Sequence, residues 1–199
     1  GGYGYIAAQL GYMIAGEVSN DQTFLKQIFN DKYTVRDPVF GNEILPTPFL
    51  STTVGDEAIT GLEMGTPLPA LDLDRVFIIS DYSTCSSSEL LINGLRGIGI
   101  EVILIGGTTC GKPYGGVLTD NCGTSYYMIQ TTTENARGFG DYADGFEPTE
   151  SFDIGHRAVK GCSVPDSLDG LLGSASENML SVALYYIEND SCPYGTIPT

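Results

Sequence analysis

Residues 76–115 read VFIISDYSTCSSSELLINGLRGIGIEVILIGGTTCGKPYG and predict a strand, a serine-rich turn, a helix, a second strand and a glycine-flanked lysine. The run at 76–80 is β-branched and aromatic, as in a buried strand. The helix is expected to begin inside the serine run and to end at Gly97 and Gly99, because glycine accepts the left-handed geometry of a helix C-terminus. Residues 102–105 predict the second strand. Two strands joined by a helix are expected to lie parallel, so the stretch predicts an α/β fold with βαβ units.

The serine run and Lys112 are expected to meet at one edge of this unit. In parallel sheets, the carboxyl ends of the strands and the start of the connecting helix form the usual ligand crevice. The serines begin the helix, and Lys112 follows the second strand after the glycines that let the chain turn. We therefore expect any chemistry to take place at this edge.

The rest of the chain fits one domain, residues 1–199, which is a common size for a single core. Proline density predicts that residues 37–74 form a surface excursion without a core of their own, and residues 188–199 are expected to form a tail. The other predicted elements are a buried helix at 3–15, an extended segment or a short helix and strand at 24–36, a strand at 125–133, turns at 134–148, and a last helix at 174–187 with a capping box from Ser174 to Glu177.

Composition excludes several classes of partner. The formal net charge of −16 argues against nucleic acid or anionic lipid as a partner. No window holds eighteen apolar residues, so no membrane span is expected. The sequence starts at Gly1 and Gly2 with neither a methionine nor a signal peptide, so we expect a fragment or a processed product, the C-terminal portion of a larger protein.

The five cysteines form no CxxC pair, which argues against a zinc site. If the crevice forms as predicted, Cys85 and Cys110 lie close together, and a disulfide between them is expected. A second disulfide is predicted between Cys122 and Cys162, which leaves Cys192 unpaired. Disulfides would indicate an oxidising compartment, and buried free thiols are the alternative.

A serine hydroxyl needs a base that removes its proton before it attacks a carbonyl. The one histidine, His156, lies in the polar segment DIGHRAVK without the context of a site, and no GxSxG elbow is present. A neutral lysine can replace histidine, and burial favours the neutral form, so we expect Lys112 to be shielded from water. The alternative for Lys112 is an exposed or anion-binding loop lysine. Ser86 and Glu89 also match a capping box, a structural role that is compatible with a catalytic one.

The segment STCSSSELLINGLRGIGIEVILIGGTTCGKPYG resembles the serine–lysine core of the carboxyl-terminal processing (tail-specific) serine peptidase family. This core combines an S-x-S-x-S-E turn, a helix, a strand ending in glycine, and a T-x-G-K turn. Two further segments are similar to family elements: Gly1-Gly2-Tyr3 resembles the end of a D-L-R-x-N-x-G-G element, and NARGFGDYADGFEP resembles a segment that follows the catalytic lysine.

The resemblance implies a crotonase/ClpP-like α/β domain in which Ser86 is the nucleophile and Lys112 the general base. Ser87 is the neighbouring candidate for the nucleophile. The family's oxyanion hole uses the amide after the nucleophile and one from the G-G element, which here are Ser87 and Gly1 or Gly2.

One position departs from the family pattern. Many members carry a glutamine four residues after the lysine, which orients the lysine, and this chain has Gly116 there. Glu89 lies one helical turn after Ser86 and is the candidate to orient Lys112 instead.

The implied function is an exported endopeptidase, periplasmic or extracellular, that cleaves proteins near their C-termini through an acyl-enzyme. It requires no metal and no organic cofactor. Protein or peptide substrates and the N-terminal portion of the same protein are the expected partners. Two alternatives are a catalytically inactive module of the same fold that binds a peptide or an apolar ligand, and one half of a cleaved enzyme that is inactive alone.

Overall fold

The computed structural model describes residues 1–55, 57–150, 157–168 and 170–195, which form a mixed α/β structure with two four-stranded sheets. His156 lies outside the described residues. The regular elements are α1 (Gly4–Ala15), β1 (Thr23–Ile28), β2 (Thr47–Pro48), α2 (Glu57–Thr60), β3 (Arg75–Ser80), α3 (Ser87–Gly97), β4 (Glu101–Gly106), β5 (Tyr114–Asn121), β6 (Thr124–Glu134), β7 (Glu147–Thr149), β8 (Ala158–Ser163) and α4 (Asn178–Asn189).

The first sheet is parallel and contains the unit predicted from residues 76–115. Its strand order is β3-β4-β8-β7, and all three neighbouring pairs are parallel. β3 and β4 pair from Arg75 and Glu101 to Ser80 and Gly106, with α3 as the connection between them. The predicted strand–helix–strand order is therefore confirmed, and the carboxyl ends of β3 and β4 lie at the same edge.

β4 is buried on both faces, which explains its unbroken apolar sequence. Val102 and Leu104 belong to the hydrophobic cluster that also contains residues of α1 and α3. Ile103 and Ile105 alternate with them and belong to the cluster that contains residues of α4. The parallel sheet is thus covered by helices on both sides. The longest described helices, α1 and α4, have twelve residues each, too few to cross a bilayer.

The second sheet is antiparallel, in the order β2-β1-β6-β5. The predicted strand at 125–133 is β6. Of the ambiguous segment at 24–36, residues 24–28 belong to β1, and the short helix offered as an alternative does not form. β5 was not predicted, because Gly115 and Gly116 weaken its strand signal; they form a register shift opposite β6. Between 37 and 74, β2 and α2 are the only regular elements among the described residues.

Two predicted helices differ in detail from the structure. The last helix begins at Asn178, with Glu177 at the N-cap, where its carboxylate accepts the N–H groups of Met179 and Leu180. The predicted capping box, with Ser174 at the N-cap, is therefore wrong. The helix predicted as buried at 3–15 is α1, but Ile6 and Leu10 are exposed, because the face that packs inward is the one lined by alanine and glycine.

The structure contains two disulfides, of which one was predicted correctly. Cys85–Cys110 is confirmed, whereas Cys162 pairs with Cys192 rather than with Cys122. Cys122 is exposed in the turn between β5 and β6 and has no disulfide partner. Cys162 lies in β8, which is beside α4, and the chain that follows α4 brings Cys192 to it with a Cα–Cα distance of 5.7 Å. The two bonds are consistent with an exported protein.

Peptide mapping under non-reducing conditions tests this pairing. We expect alkylation of the unreduced, unfolded protein to label Cys122 alone, because the other cysteines are joined in pairs. Mass spectrometry should then find one linked peptide pair containing Cys162 and Cys192. A linked pair containing Cys122 and Cys162 would contradict the structure.

Candidate active site

Ser86 lies in a strained turn between the end of β3 and the start of α3. Its backbone has φ 57° and ψ −114°, a conformation that residues other than glycine rarely adopt. Such strain is held only where surrounding contacts impose it, and it is concentrated at functional sites. A serine on a sharp strand-to-helix turn is also how many hydrolases present a nucleophile. Ser86 is half-buried, so it is accessible from solvent.

The segment before Ser86 is held by its own hydrogen bonds. The Asp81 carboxylate accepts the hydroxyl and the N–H of Ser83, at 2.6 Å and 2.9 Å. The bond from the Ser83 hydroxyl is the largest of the contributions that lower the pKa of Asp81 below its ordinary value. The Thr84 hydroxyl accepts the Asp81 N–H, and the Thr84 carbonyl accepts the Cys110 N–H at 3.0 Å. The serine turn is thereby joined to the turn that carries Lys112.

Glu89 is the centre of the site. Its side chain has 0% exposure, and its two carboxylate oxygens accept four hydrogen bonds. Oε1 accepts the Thr109 hydroxyl at 2.6 Å and the Gly111 N–H at 2.8 Å. Oε2 accepts the Ser86 N–H at 2.9 Å and the Lys112 N–H at 2.8 Å. A buried carboxylate is costly unless it is satisfied in this way.

The consequence is an upper limit on the distance between the backbones of the two candidate residues. The backbone nitrogens of Ser86 and Lys112 bind the same oxygen of Glu89, so their separation cannot exceed the sum of those two bond lengths. Glu89 was expected to orient Lys112, and it does contact that residue, through the backbone N–H. The contact fixes the backbone of Lys112.

The turn of Lys112 fits closely against the segment at 143–146. A Cβ at Gly111 would overlap with the carbonyl oxygen of Ala143, and a Cβ at Gly145 would overlap with that of Thr109. Thr109 and Phe146 exchange hydrogen bonds, with the Thr109 N–H bound to the Phe146 carbonyl at 3.0 Å and the Phe146 N–H to the Thr109 hydroxyl at 2.7 Å. The segment NARGFGDYADGFEP therefore supports the lysine turn through its contacts with Thr109 and Gly111.

We expect the Gly111→Ala substitution to displace the lysine turn. Both Gly111 and Gly123 have φ near +80°, where a side chain costs ~1–2 kcal/mol, but space around a Cβ at Gly123 is open, whereas Gly111 meets backbone. In the Gly123→Ala control, the free energy of unfolding should fall only by the cost of placing a side chain at positive φ. In Gly111→Ala it should fall by several kcal/mol more, because the added Cβ also overlaps with backbone. Urea unfolding measures the difference. Equal losses in the two variants would contradict the tight fit.

Lys112 itself is exposed, contrary to the expectation that its amine is shielded. Pro113, and not Lys112, is the buried residue of this turn. Within the described residues, the Lys112 side chain has no hydrogen-bond or ion-pair partner. The prediction failed because glycines beside a buried strand indicate a tight turn but do not determine which neighbouring residue is buried.

The Gly1-Gly2 segment lies directly beside the serine turn. The Ser87 hydroxyl donates to the Gly2 carbonyl at 2.6 Å, and the Gly1 nitrogen donates to the Ser88 hydroxyl at 3.3 Å. A Cβ on Gly1 would lie 3.4 Å from the Cβ of Ser86. Gly2 has φ 144°, which favours glycine. The N–H groups of Ser87 and Gly2 have no hydrogen-bond partner in the described part of the chain.

The sulfur atoms of Cys85 and Cys110 and a carboxylate oxygen of Glu89 lie within 4.8 Å of one another. Three such atoms can form a metal site, but both sulfurs belong to the disulfide and Glu89 already accepts four hydrogen bonds. This cluster therefore does not supply the thiolates that a metal would require.

Two cavities lie outside this cluster. One of about 530 Å³ is at the opposite end of α3, beside Arg96, whose burial lowers its pKa to about 10. A smaller one of about 320 Å³ lies between the segment at 37–45 and the start of β5, beside Gly116 and Val117. The smaller cavity adjoins the strand that begins two residues after Lys112.

No family model and no curated protein matches the chain. Solved structures do match, among them the crystal structure of a candidate S41 protease from Bacteroides fragilis. The two share 21% sequence identity with a TM-score of 0.66, and the match covers 96% of this chain and 43% of the other. The fold of the chain is therefore similar to that of the Bacteroides fragilis protein, and the chain spans less than half the length of that protein.

Some residues of the site carry no individual signal in the sequence. Thr109 donates to Glu89 and accepts from Phe146, yet a single threonine after a strand is too common to be noticed. For Gly145 the sequence predicts only a place among the turns at 134–148. Its close contact with the Thr109 carbonyl depends on two segments that are distant in sequence.

Proposed function

We propose that the chain is the catalytic domain of a serine peptidase that uses a Ser86–Lys112 dyad. The proposal rests above all on Glu89, which binds the backbone of both residues and holds their two turns together. The strained backbone of Ser86 and the unpaired N–H groups beside it support the same reading. The similarity in fold to a candidate S41 protease agrees with it.

The reaction would proceed through an acyl-enzyme. The Ser86 hydroxyl oxygen attacks the carbonyl carbon of a peptide bond, and its proton passes to the neutral amine of Lys112. The resulting oxyanion accepts hydrogen bonds from the N–H of Ser87 and from that of Gly2, both of which have no other partner among the described residues. The C–N bond then breaks, and Lys112 returns the proton to the departing amine. A water activated by Lys112 releases the acyl group, and Ser86 regains its proton.

Because Lys112 is exposed, the mechanism requires a bound substrate to shield its amine from water. A lysine accepts a proton only as the neutral amine, and removal of water favours that form. We propose that a bound polypeptide covers Lys112 and excludes water from it. The dyad would then act on substrates large enough to fill the cleft, which suits protein substrates better than small esters.

The finer features follow from the resemblance of the sequence. They are a crotonase/ClpP-like fold, cleavage near the carboxyl ends of exported proteins, and cooperation with an N-terminal portion of the same protein. They are proposals that rest on the S-x-S-x-S-E and T-x-G-K turns.

A peptidyl fluorophosphonate probe tests the proposal, because its peptide part can cover Lys112 while its phosphorus bonds covalently to an activated serine. We expect a single adduct on the protein, located at Ser86 by peptide mapping and absent from the Ser86→Ala variant. Ser88, which lies on the same helix turn and is partly exposed, supplies the control: Ser88→Ala should keep the adduct. Failure of the folded wild type to react, with the N-terminal portion supplied, would refute a peptidase.

The exposed amine of Lys112 and the glycine at position 116 favour a second candidate, a binding module of the same fold without hydrolysis. In that case peptides would bind near the start of β5 and Ser86 would not react. Peptide affinity without acylation would establish this alternative.

A further inference from the structure

The Cys85–Cys110 disulfide lies between the two residues proposed to perform the chemistry. Cys85 directly precedes Ser86, and Cys110 stands two residues before Lys112. Their Cα atoms are 5.3 Å apart, and the bond closes a loop that contains α3 and β4. No other covalent link of the described structure joins the serine turn to the lysine turn.

The disulfide also contacts the carboxylate that positions both turns. The Cys110 sulfur lies 3.7 Å from Oε2 of Glu89, the oxygen that accepts the N–H groups of Ser86 and Lys112. The Cys110 N–H is bound to the carbonyl of Thr84, one residue before Cys85. The disulfide and the Thr84–Cys110 hydrogen bond therefore restrain the same two turns that Glu89 holds together.

We propose that this disulfide is a positioning element of the active site, so that its reduction switches off acylation while the fold persists. The inference rests on the proposed function and adds its regulation. A dithiol supplies two electrons and two protons, becomes a cyclic disulfide, and leaves two thiols at Cys85 and Cys110. Both cysteines are partly exposed, so a small dithiol can reach them.

The geometry of the disulfide explains why acylation is lost on reduction. Bonded sulfurs are ~2 Å apart, whereas unbonded thiol sulfurs need a separation of more than ~3.5 Å. The two sulfurs must separate by about that difference on reduction, and the serine and lysine turns then lose the covalent restraint between them. Replacement of both cysteines by alanine removes the same restraint, so both changes leave Ser86 and Lys112 free to shift relative to each other. A misplacement of ~1 Å costs about a hundredfold in rate when the chemistry depends on alignment.

The second disulfide provides a matched control. Cys162–Cys192 joins β8 to the chain after α4, in the cluster on the other face of the parallel sheet, and neither cysteine contacts Ser86, Glu89 or Lys112. Its two cysteines are 30 residues apart in sequence, compared with 25 for Cys85 and Cys110. Its removal therefore opens a loop of similar length at a distance from the site. The two bonds should therefore contribute comparably to stability through the unfolded chain.

The experiment compares Cys85→Ala/Cys110→Ala with Cys162→Ala/Cys192→Ala in the protein with its N-terminal portion. We expect the rate at which Ser86 displaces fluoride from a peptidyl fluorophosphonate to fall about a hundredfold in the first variant and less than about threefold in the second. Melting temperatures should fall in both. With a cleaved peptide, the first variant should lose kcat and keep KM within about threefold, because the cleft remains.

Wild type treated with a dithiol supplies the test if the first variant does not fold. Cys85 and Cys110 are both partly exposed, whereas the second disulfide offers a dithiol one partly exposed sulfur, at Cys192, because Cys162 is 1% exposed. Labelling is therefore compared between protein in which only Cys85–Cys110 is open and protein in which only Cys162–Cys192 is open. Peptide mapping identifies the two species, and the labelling of the first should fall with reduction and return on reoxidation. A folded variant that acylates at the wild-type rate, or equal rate losses in both variants, would overturn the switch alone. An oxidised wild type that never acylates would overturn the peptidase and the switch with it.

Discussion

Replacing Glu89 with glutamine is expected to abolish acylation of Ser86 and to lower the free energy of unfolding by about 3–5 kcal/mol. The carboxylate is fully buried and accepts donors on both oxygens. Glutamine keeps the size but offers one acceptor oxygen, and its NH₂ group would face two of the donors. In one orientation the N–H groups of Ser86 and Lys112 lose their acceptor, and in the other the N–H of Gly111 does.

Glu177→Gln is the matched control for this change. Glu177 is also a buried carboxylate, and it accepts two backbone N–H groups at the start of α4. Its replacement should cost about 1 kcal/mol as a helix cap is lost, and acylation of the folded protein should stay within about twofold of the wild type. Urea unfolding and fluorophosphonate labelling measure the two effects. Normal labelling of folded Glu89→Gln would mean that Glu89 does not position the site.

Replacing Lys112 with alanine is expected to slow peptide cleavage by at least about a thousandfold with little change in stability. The side chain is exposed and has no partner in the described structure, so its removal leaves no buried group unpaired. Lys112→Arg should be equally inactive, because a guanidinium keeps its proton and cannot act as a base. The two variants separate the need for a base from the need for a positive charge.

Lys32→Ala controls for the loss of one charge, since Lys32 is exposed in the turn after β1 and outside the site. Its cleavage rate should equal that of the wild type. Full activity of Lys112→Ala would exclude the dyad, and activity retained by Lys112→Arg would indicate that the positive charge, and not a base, is required.

The local elements around the site could be predicted because their signals are contiguous in sequence. The apolar run at 102–105 and the serine run each determine one element, and their order implies the parallel pair. The Cys85–Cys110 bond followed from the same geometry. Features that depend on distant segments could not be predicted in this way. β8 inserts between β4 and β7, but its sequence AVKGCS has too few apolar residues to be recognised.

The errors have a common physical origin. The pairing of Cys162 depends on where α4 delivers Cys192, and the exposure of Lys112 depends on which residue of a tight turn is buried. Glu89 has one role that the local sequence predicts and another that it does not. Its capping position is readable from residues 86–89, whereas its bonds to Thr109, Gly111 and Lys112 come from the return of the chain after β4.

The most direct test of the account is a crystal structure of the protein after reaction with a peptidyl phosphonate, which mimics the tetrahedral intermediate. We expect a covalent bond from phosphorus to the Ser86 hydroxyl oxygen, a phosphonyl oxygen within hydrogen-bond distance of the Ser87 N–H, and the Lys112 amine within ~3 Å of the Ser86 oxygen. An unmodified Ser86, or an adduct whose lysine remains in solvent on the far side of the turn, would contradict the Ser86–Lys112 dyad.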